Sequence, residues 1–386
     1  MSGHTGRSAG SVIEVLRVVG CVTEAEDAST RRVGRARIYS RGGWTNATLR
    51  WGRGPHRRWA SVVRVFSLSG TMVSVAVEPT MDGFGALAEG RWADARSAFE
   101  SALQDGEKAE ACFGLAMALW WLGENHACVE WCGRAYALFR ESSDVESAAQ
   151  CAVWLAITYK ANFANVSAAN GWIGRAERLL EPLDPGPLHG WVWVARGYRM
   201  TDLDAAEELT ERAVEVARGA GDVDLELVAL AQLGLVRVGK GDIEEGFGLL
   251  DEAMAAALAG ERSTLDTVVY ACCDMLNACE LARDLERAAQ WCQVADDFVA
   301  KYGCPFLYAE CRIYYGTVLT AKGRWDDAGR ELGAGVRITE GACPGLHRRA
   351  IARLAGCVCV KAAWKRLSVR WLILAGGSKR RRRRPS

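Results

Sequence analysis

The sequence predicts an all-α fold, a solenoid built from about seven pairs of helices. Its clearest stretch runs from Val228 to Ala257, where apolar residues recur at three- and four-residue steps on both sides of Gly241. The same pattern returns upstream and downstream at a spacing of about 33 to 42 residues. Such a period is typical of stacked helix–turn–helix repeats rather than of one globular core.

In this central unit, the apolar positions define one face of each helix. In chain order they are Leu230, Leu233, Gly234, Val238, Ile243, Phe247, Leu250 and Met254. Gly234 and Gly246 carry no side chain, so the two backbones can approach closely at these positions.

Three further units turn at a glycine, and three weaker copies do not. The strong copies turn at Gly90, Gly123 and Gly323, and the weaker ones turn near Ala164, Thr201 and Arg283. The prolines Pro182, Pro185 and Pro187 mark the clearest joint inside the array, since proline cannot continue a helix.

These residues resemble the tetratricopeptide repeat (TPR), which shows leucine and then a small residue in its first helix, glycine at the turn and an aromatic residue two positions later. Residues 81–356 carry that pattern. Longer phrases, among them LVALAQLGLVRVGKG and GRWDDAGREL, look like the repeat segment of actinobacterial LuxR-type transcriptional regulators. The resemblance implies a right-handed superhelix that binds a protein, a peptide or an apolar ligand. The helix-turn-helix DNA-binding domain of that family is not found in this sequence.

The near-neutral charge of the chain hides a strong asymmetry. Residues 1–80 hold 12 Arg against 5 acidic residues, and residues 357–386 hold 10 Lys or Arg and no acidic residue. Of the chain's 48 basic and 47 acidic residues, residues 81–356 keep 26 and 42, a net charge of −16. We therefore expect an acidic solenoid between two basic ends.

Neither end follows the repeat pattern, so both are predicted to be irregular. Residues 1–80 are interpreted as a disordered leader, or as sequence upstream of a true start at Met72 or Met81. Residues 357–386 are interpreted as a disordered tail, and a change of reading frame near Gly356 would explain the missing DNA-binding domain. The alternative for both ends is a nucleic-acid-associated protein that binds through its Arg-rich termini.

The remaining motifs favour structural roles, so neither an enzyme, a metal site nor a cofactor is expected. Most of the 14 cysteines fall at small or apolar helix positions, where thiols act as buried hydrophobes in a reducing cytoplasm. The stretch from Gly234 to Lys240 begins like a phosphate-binding loop but lies on a repeat helix and lacks the following Ser or Thr. No apolar run is long enough to span a membrane.

The candidate binding residues are aromatic or apolar side chains on the first helices of the repeats, which line a concave groove in tetratricopeptide arrays. They are Phe113, Met117, Trp120, Trp154, Trp191, Tyr198 and Tyr270. An aromatic groove would suit an extended peptide or a small apolar ligand. The alternative is that these rings pack between helices. The predicted function is thus a TPR scaffold, the sensory or partner-binding part of a LuxR-type regulator without its DNA-binding domain.

Overall fold

The computed structural model describes residues 17–22, 32–40, 43–51, 62–66, 72–76, 79–104 and 106–381, and the side chains of 80–104 and 106–367. The chain divides into two compact units, Met1–Asp82 and Gly83–Ser386.

The first unit contains five strands in an antiparallel sheet of order β1-β2-β3-β4-β5. They are β1 Arg17–Val22, β2 Arg32–Ser40, β3 Gly43–Trp51, β4 Val62–Phe66 and β5 Met72–Ala76. Ser40 pairs with Gly43, so two residues connect β2 to β3, and the register of β1 shifts between Val19 and Cys21. These five segments differ from the irregular leader expected from the sequence, and the other residues of 1–78 lie outside the described part of the chain. Val, Ile, Thr and aromatic residues, which favour strands, are frequent in these segments although no strict alternation marks them.

Fifteen helices follow in the described part of the chain. They are α1 Pro79–Ala88, α2 Trp92–Ala102, α3 Ala109–Trp121, α4 Asn125–Glu141, α5 Val145–Ala161, α6 Val166–Leu180, α7 Pro187–Gly197, α8 Leu203–Ala220, α9 Val223–Lys240, α10 Ile243–Ala259, α11 Asp266–Ala282, α12 Leu285–Tyr302, α13 Pro305–Ala321, α14 Trp325–Thr339 and α15 Pro344–Arg381.

Helices α1 to α14 form seven antiparallel pairs, and α15 begins an eighth, so the predicted α-solenoid of TPR-like helix pairs is confirmed. We call the odd-numbered member of each pair its first helix and the even-numbered member its second helix. The predicted turns lie between the two. Gly241 and Gly323 adopt positive φ angles of 105° and 76°, which glycine reaches without strain. At two of the weaker copies, Ala164 and Arg283 take the same left-handed conformation with φ of 51° and 58°.

Close backbone contact holds the pairs together. A Cβ atom added at Gly316 in α13 would lie 2.5 Å from Leu332 Cγ in α14, and one added at Gly234 in α9 would lie 2.6 Å from the Gly246 carbonyl oxygen in α10. Only glycine fits at these two positions unless the facing helix moves. The small residues in the repeat pattern are therefore packing requirements.

The C-terminal helix also differs from the sequence-based expectation. Residues 357–381, predicted to be a disordered tail, belong to α15. No proline or acidic residue occurs between Gly345 and Arg384, so nothing in the local sequence forces the helix to end at Gly356. Residues 382–386 lie outside the described part of the chain.

The thirteen cysteines from Cys112 to Cys359 are free thiols, and eleven of them are buried. Burial raises the pKa of Cys112 to about 11 and that of Cys128 to about 12, so both thiols stay protonated and unreactive near neutral pH. Among the described residues no helix is long and apolar enough to cross a membrane. The same residues contain no group of three or more His, Cys, Asp or Glu side chains placed to hold a metal ion.

Candidate functional site

The seven predicted binding residues lie on first helices or at their ends, but they differ in how much of their surface is exposed. Phe113, Met117 and Trp120 belong to α3, and Trp154 belongs to α5. Trp191 lies in α7, Tyr198 directly follows α7, and Tyr270 lies in α11. Trp120 is buried, whereas the other six keep part of their surface exposed.

Trp120 packs where early helices of the array contact late ones. Its ring lies 5.8 Å from that of Trp154 in α5 and 5.9 Å from that of Phe306 at the start of α13. Its indole N–H donates to Asn162 Oδ1 at 3.3 Å. Because only 9% of Trp120 is exposed, this ring has little surface to offer a ligand. For this position, packing between helices describes the structure better than a place in an open groove.

We call this line of contact the seam: it joins the ends of α2–α5 to the ends of α12–α15. Trp92 Nε1 donates to the Tyr302 carbonyl oxygen at 2.5 Å, and Asn125 Nδ2 donates to the Ala342 carbonyl oxygen at 3.0 Å. The Gly345 N–H donates to the Asn162 carbonyl oxygen at 3.3 Å. Helices from the start of the array are therefore in direct contact with helices from its end.

Three of the predicted aromatic residues come together around two ionisable side chains, Lys160 and Asp274. Trp191 and Tyr270 have ring centroids 6.3 Å apart at an interplanar angle of 54°. The Tyr198 hydroxyl donates to Asp274 Oδ2 at 2.6 Å. Lys160 Nζ donates to the Tyr198 carbonyl oxygen and lies 4.9 Å from the centroid of that ring. We call Lys160, Trp191, Tyr198, Tyr270 and Asp274 the inner cluster.

The ionisable groups of the inner cluster have strongly shifted pKa values because they are buried. Burial raises the pKa of Asp274 to about 7, although the Tyr198 hydrogen bond and the charge of Lys160 act in the opposite direction. Burial lowers the pKa of Lys160 to about 8, with Asp274 opposing the shift. Burial and the neighbouring Asp274 raise the pKa of Tyr198 well above its usual value.

A second buried carboxylate lies on the same face of α11. Asp266, Tyr270 and Asp274 are spaced at i, i+4 and i+8, which aligns them along one side of a helix. Burial raises the pKa of Asp266 to about 7, and a hydrogen bond from Trp121 opposes the shift. Neither carboxylate has an ion-pair partner within 4.0 Å among the described residues. Buried carboxylates of this kind are costly and concentrate at functional sites.

Sequence reasoning missed Lys160, Asp266 and Asp274. One signal was present for Asp274: it interrupts an apolar stretch, YACCDMLNAC, on the face that carries Tyr270. A charged side chain at a core-facing position of a repeat helix indicates a polar partner or a ligand. For Lys160, no local pattern distinguishes this position from an ordinary basic residue near a helix end.

The other chemically suggestive residues have structural contacts. His189 Nδ1 accepts a hydrogen bond from the Gly186 N–H, and His347 Nδ1 lies 3.2 Å from both Thr339 Oγ1 and the Val336 carbonyl oxygen. Lys240, at the end of α9, forms ion pairs with Asp204 and Glu207, each at 2.6 Å. The stretch from Gly234 to Lys240 lies within α9, so it does not form a phosphate-binding loop.

No family model matches this sequence, and no curated protein matches it. Solved structures with a similar arrangement of helices include the apo form of the quorum sensor NprR from B. thuringiensis, with 14% identity over 67% of this chain and 75% of that one, at a TM-score of 0.47. A Rap protein complexed with competence and sporulation factor shows 13% identity over 74% and 75%, at a TM-score of 0.48. A thermophilic TPR protein of Thermus thermophilus shows 19% identity over 51% and 97%, at a TM-score of 0.36. Each similarity concerns the helical arrangement alone.

Proposed function

We propose that the helical repeats are a binding scaffold whose ligand, an extended peptide or a small apolar molecule, contacts the inner cluster. The observation that carries the proposal is the pair of part-exposed rings, Trp191 and Tyr270, beside the buried charges of Lys160 and Asp274. Ligand sites combine aromatic walls with a few fixed polar groups in this way. A buried carboxylate without an ion pair costs stability, and such groups concentrate at functional sites.

The proposal narrows the seven sequence-predicted residues to three. Trp191, Tyr198 and Tyr270 are the members that combine exposed surface with neighbouring polar groups, whereas Trp120 is covered by Phe306. Aromatic side chains offer a large contact area at a small cost in conformational entropy, which suits peptide recognition.

The test uses a phage-displayed library of random twelve-residue peptides selected on the folded chain. Recovered peptides are then titrated against Trp191→Ala and Tyr270→Ala by fluorescence anisotropy. Trp193→Ala is the matched control, because Trp193 lies two residues away on the same helix, is similarly half-buried, and contacts Arg212 of α8 and His189. We expect at least a tenfold loss of affinity for the first two variants and none for the control. A failure to select any peptide would contradict peptide binding, and an equal loss of affinity in Trp193→Ala would contradict the placement of the ligand on the inner cluster.

The proposed biological setting is a cytoplasmic regulator of transcription related to LuxR-type proteins. The sequences of residues 227–241 and 323–332 support this setting, since they resemble the repeat segment of that family. The test is to sequence the genomic DNA that follows the codon for Gly356 and to translate all its reading frames. A helix-turn-helix reading frame there would support the regulator, and its absence would leave only the scaffold.

Binding of nucleic acid through the Arg-rich ends remains the rival function. It predicts that single-stranded DNA binds the full chain with an affinity that falls steeply with salt. Removing residues 1–80 and 368–386 should abolish this binding if the ends are responsible, and the peptide titration should then be unaffected.

A further inference from the structure

Helix α15 has an exposed face. The equivalent face of α13, the first helix of the preceding pair, is covered by α14. Helices α13 and α15 start alike: Cys304-Pro305 and Cys343-Pro344 begin them, and Leu307 and Leu346 follow as buried residues. Each residue of α13 therefore corresponds to the residue of α15 at the same distance from these prolines, Pro305 and Pro344. The two helices can therefore be compared position by position.

In α13, five positions form the face that α14 covers, and all five are buried: Ala309, Arg312, Ile313, Gly316 and Leu319. Three contacts show that α14 packs on this face. Arg312 donates to Glu331 Oε2 at 2.8 Å, and a Cβ at Gly316 would lie 2.5 Å from Leu332 Cγ. A Cβ at Gly335 would lie 3.1 Å from Ile313 Cγ1.

The five corresponding positions of α15 are all exposed: Arg348, Ile351, Ala352, Ala355 and Val358. Ile351 is 47% exposed and Val358 is 59% exposed, whereas Leu319, the counterpart of Val358, is 3% exposed. Ile351, Ala355 and Val358 recur at i, i+4 and i+7, so they form one continuous apolar stripe. The opposite side of α15 packs on α13 and α14 through Leu346, Ala350 and Cys357.

Charge indicates what kind of helix fits this stripe. From Pro344 to Arg381, α15 contains no acidic residue, and Arg348 lies at the edge of the stripe. The helix that covers the same face of α13 is acidic at its start, with Asp326 and Asp327 in its first turn, and it presents Glu331 to Arg312. A second copy of α15 would bring no acidic residue to this face, whereas an acidic helix would complement the charge of Arg348.

We propose that the face formed by Arg348, Ile351, Ala352, Ala355 and Val358 docks an acidic amphipathic helix of a partner protein. The docked helix takes the place that α14 has on α13, with small or apolar side chains on the stripe and carboxylates near Arg348. Ala355 stands where α13 has Gly316, so its methyl group limits the size of the facing side chain. In the pair α3/α4, the buried Ala116 has the same place in the repeat as Ala355, and the smaller Cys132 has the place of Leu332.

The probe is a fluorescein-labelled synthetic peptide with the sequence of Arg324–Glu340, which contains α14. It is titrated against the full chain and against Ala355→Gly, Val358→Asp and the control Leu258→Asp. Leu258 is an exposed leucine of α10, 39% exposed, outside the proposed face. Ala355→Gly should bind the peptide about tenfold more tightly than the unchanged chain, because it makes room for the leucine that faces Gly316 in α13. Val358→Asp should lower the affinity at least tenfold, and Leu258→Asp should leave it unchanged.

Equal affinities for the unchanged chain and Ala355→Gly, or no effect of Val358→Asp, would overturn the proposal. So would the absence of measurable binding to Ala355→Gly. Analytical ultracentrifugation of the chain alone tests whether a second copy of the chain occupies this face. A dimer that Val358→Asp converts to monomers would assign the face to a second copy and exclude a partner protein.

Discussion

The Tyr198 hydroxyl donates a 2.6 Å hydrogen bond to Asp274 Oδ2 and so links the end of α7 to the middle of α11. Asp274 is only 3% exposed, and burial raises its pKa to about 7. The tyrosine thus supplies a hydrogen bond to a carboxylate that has no ion-pair partner within 4.0 Å among the described residues. This arrangement makes stability depend on pH in a definite direction.

The first prediction concerns Asp274→Asn. Because the folded-state pKa of about 7 lies above the usual 3.8, the folded chain keeps a proton that the unfolded chain releases between these values. The stabilising contribution of Asp274 is therefore full below about pH 4 and is lost as the pH rises through 7. We expect Asp274→Asn to reduce the fall in unfolding free energy between pH 5 and pH 8 by about 1 to 3 kcal/mol. Urea unfolding at both pH values measures this difference.

Two variants check that result. Asp297→Asn removes an exposed carboxylate of α12 and should leave the pH dependence as it is. Tyr198→Phe should act in the opposite sense to Asp274→Asn, because it removes a hydrogen bond that lowers the pKa of Asp274. The fall in stability should then extend to higher pH. An unchanged pH dependence in Asp274→Asn would show that Asp274 titrates normally.

The second prediction concerns the seam. Trp92 stacks on Trp121 with ring centroids 4.1 Å apart, and its indole N–H donates to the Tyr302 carbonyl oxygen. Trp92→Phe removes this donor and part of the stacked surface, so we expect a loss of about 1 to 3 kcal/mol in unfolding free energy. Trp131→Phe is the control, since Trp131 lies on α4 under Arg134 and outside the seam. Equal losses in the two variants would show that the seam contributes no special stability.

The third prediction uses two glycines of one helix pair. Gly316→Ala places a methyl group 2.5 Å from Leu332 Cγ, so α13 and α14 must separate or repack, at a cost of about 1 to 3 kcal/mol. Gly329→Ala on α14 meets no atom within 4 Å and should stabilise the chain by up to about 1 kcal/mol through helix propensity. Thermal unfolding measures whether each variant is less or more stable than the unchanged chain. A neutral Gly316→Ala would contradict the tight packing of this pair.

The helix pairs could be predicted from the sequence because each pair repeats one local pattern, with small residues such as Gly234 and Gly316 at fixed distances from a turn. The strands could not be predicted, since apolar and polar residues do not clearly alternate along Arg32–Ser40 or Gly43–Trp51. The inner cluster was predicted only in part. The pattern places Trp191 and Tyr270 on first helices, but their proximity depends on how successive helix pairs pack on one another, as do contacts such as that between Trp92 and Tyr302. A local repeat pattern does not encode these long-range contacts.

The fourth prediction concerns where the C-terminal helix stops contributing to the fold. The repeat pattern alone predicts that a chain ending at Gly356 is as stable as a longer one. The structure instead places Cys357 in a buried contact with Trp325, its thiol donating to the Trp325 carbonyl oxygen at 3.6 Å. Lys361 forms an ion pair with Asp326, and the ring of Trp364 lies 5.9 Å from that of Trp325. A chain cut after Gly356 loses all three contacts, whereas a chain cut after Leu367 keeps them.

We therefore expect the chain ending at Gly356 to unfold at a lower temperature than the chain ending at Leu367, with a loss of about 1 to 3 kcal/mol in unfolding free energy. Most of this loss comes from the buried thiol and the indole pair, because an exposed ion pair such as Lys361–Asp326 adds little. Thermal unfolding of both chains in one buffer makes the comparison, with Trp364→Ala in the longer chain as an intermediate case. Identical unfolding of the two truncated chains would show that α15 beyond Gly356 adds nothing to the solenoid, as the repeat pattern alone predicts.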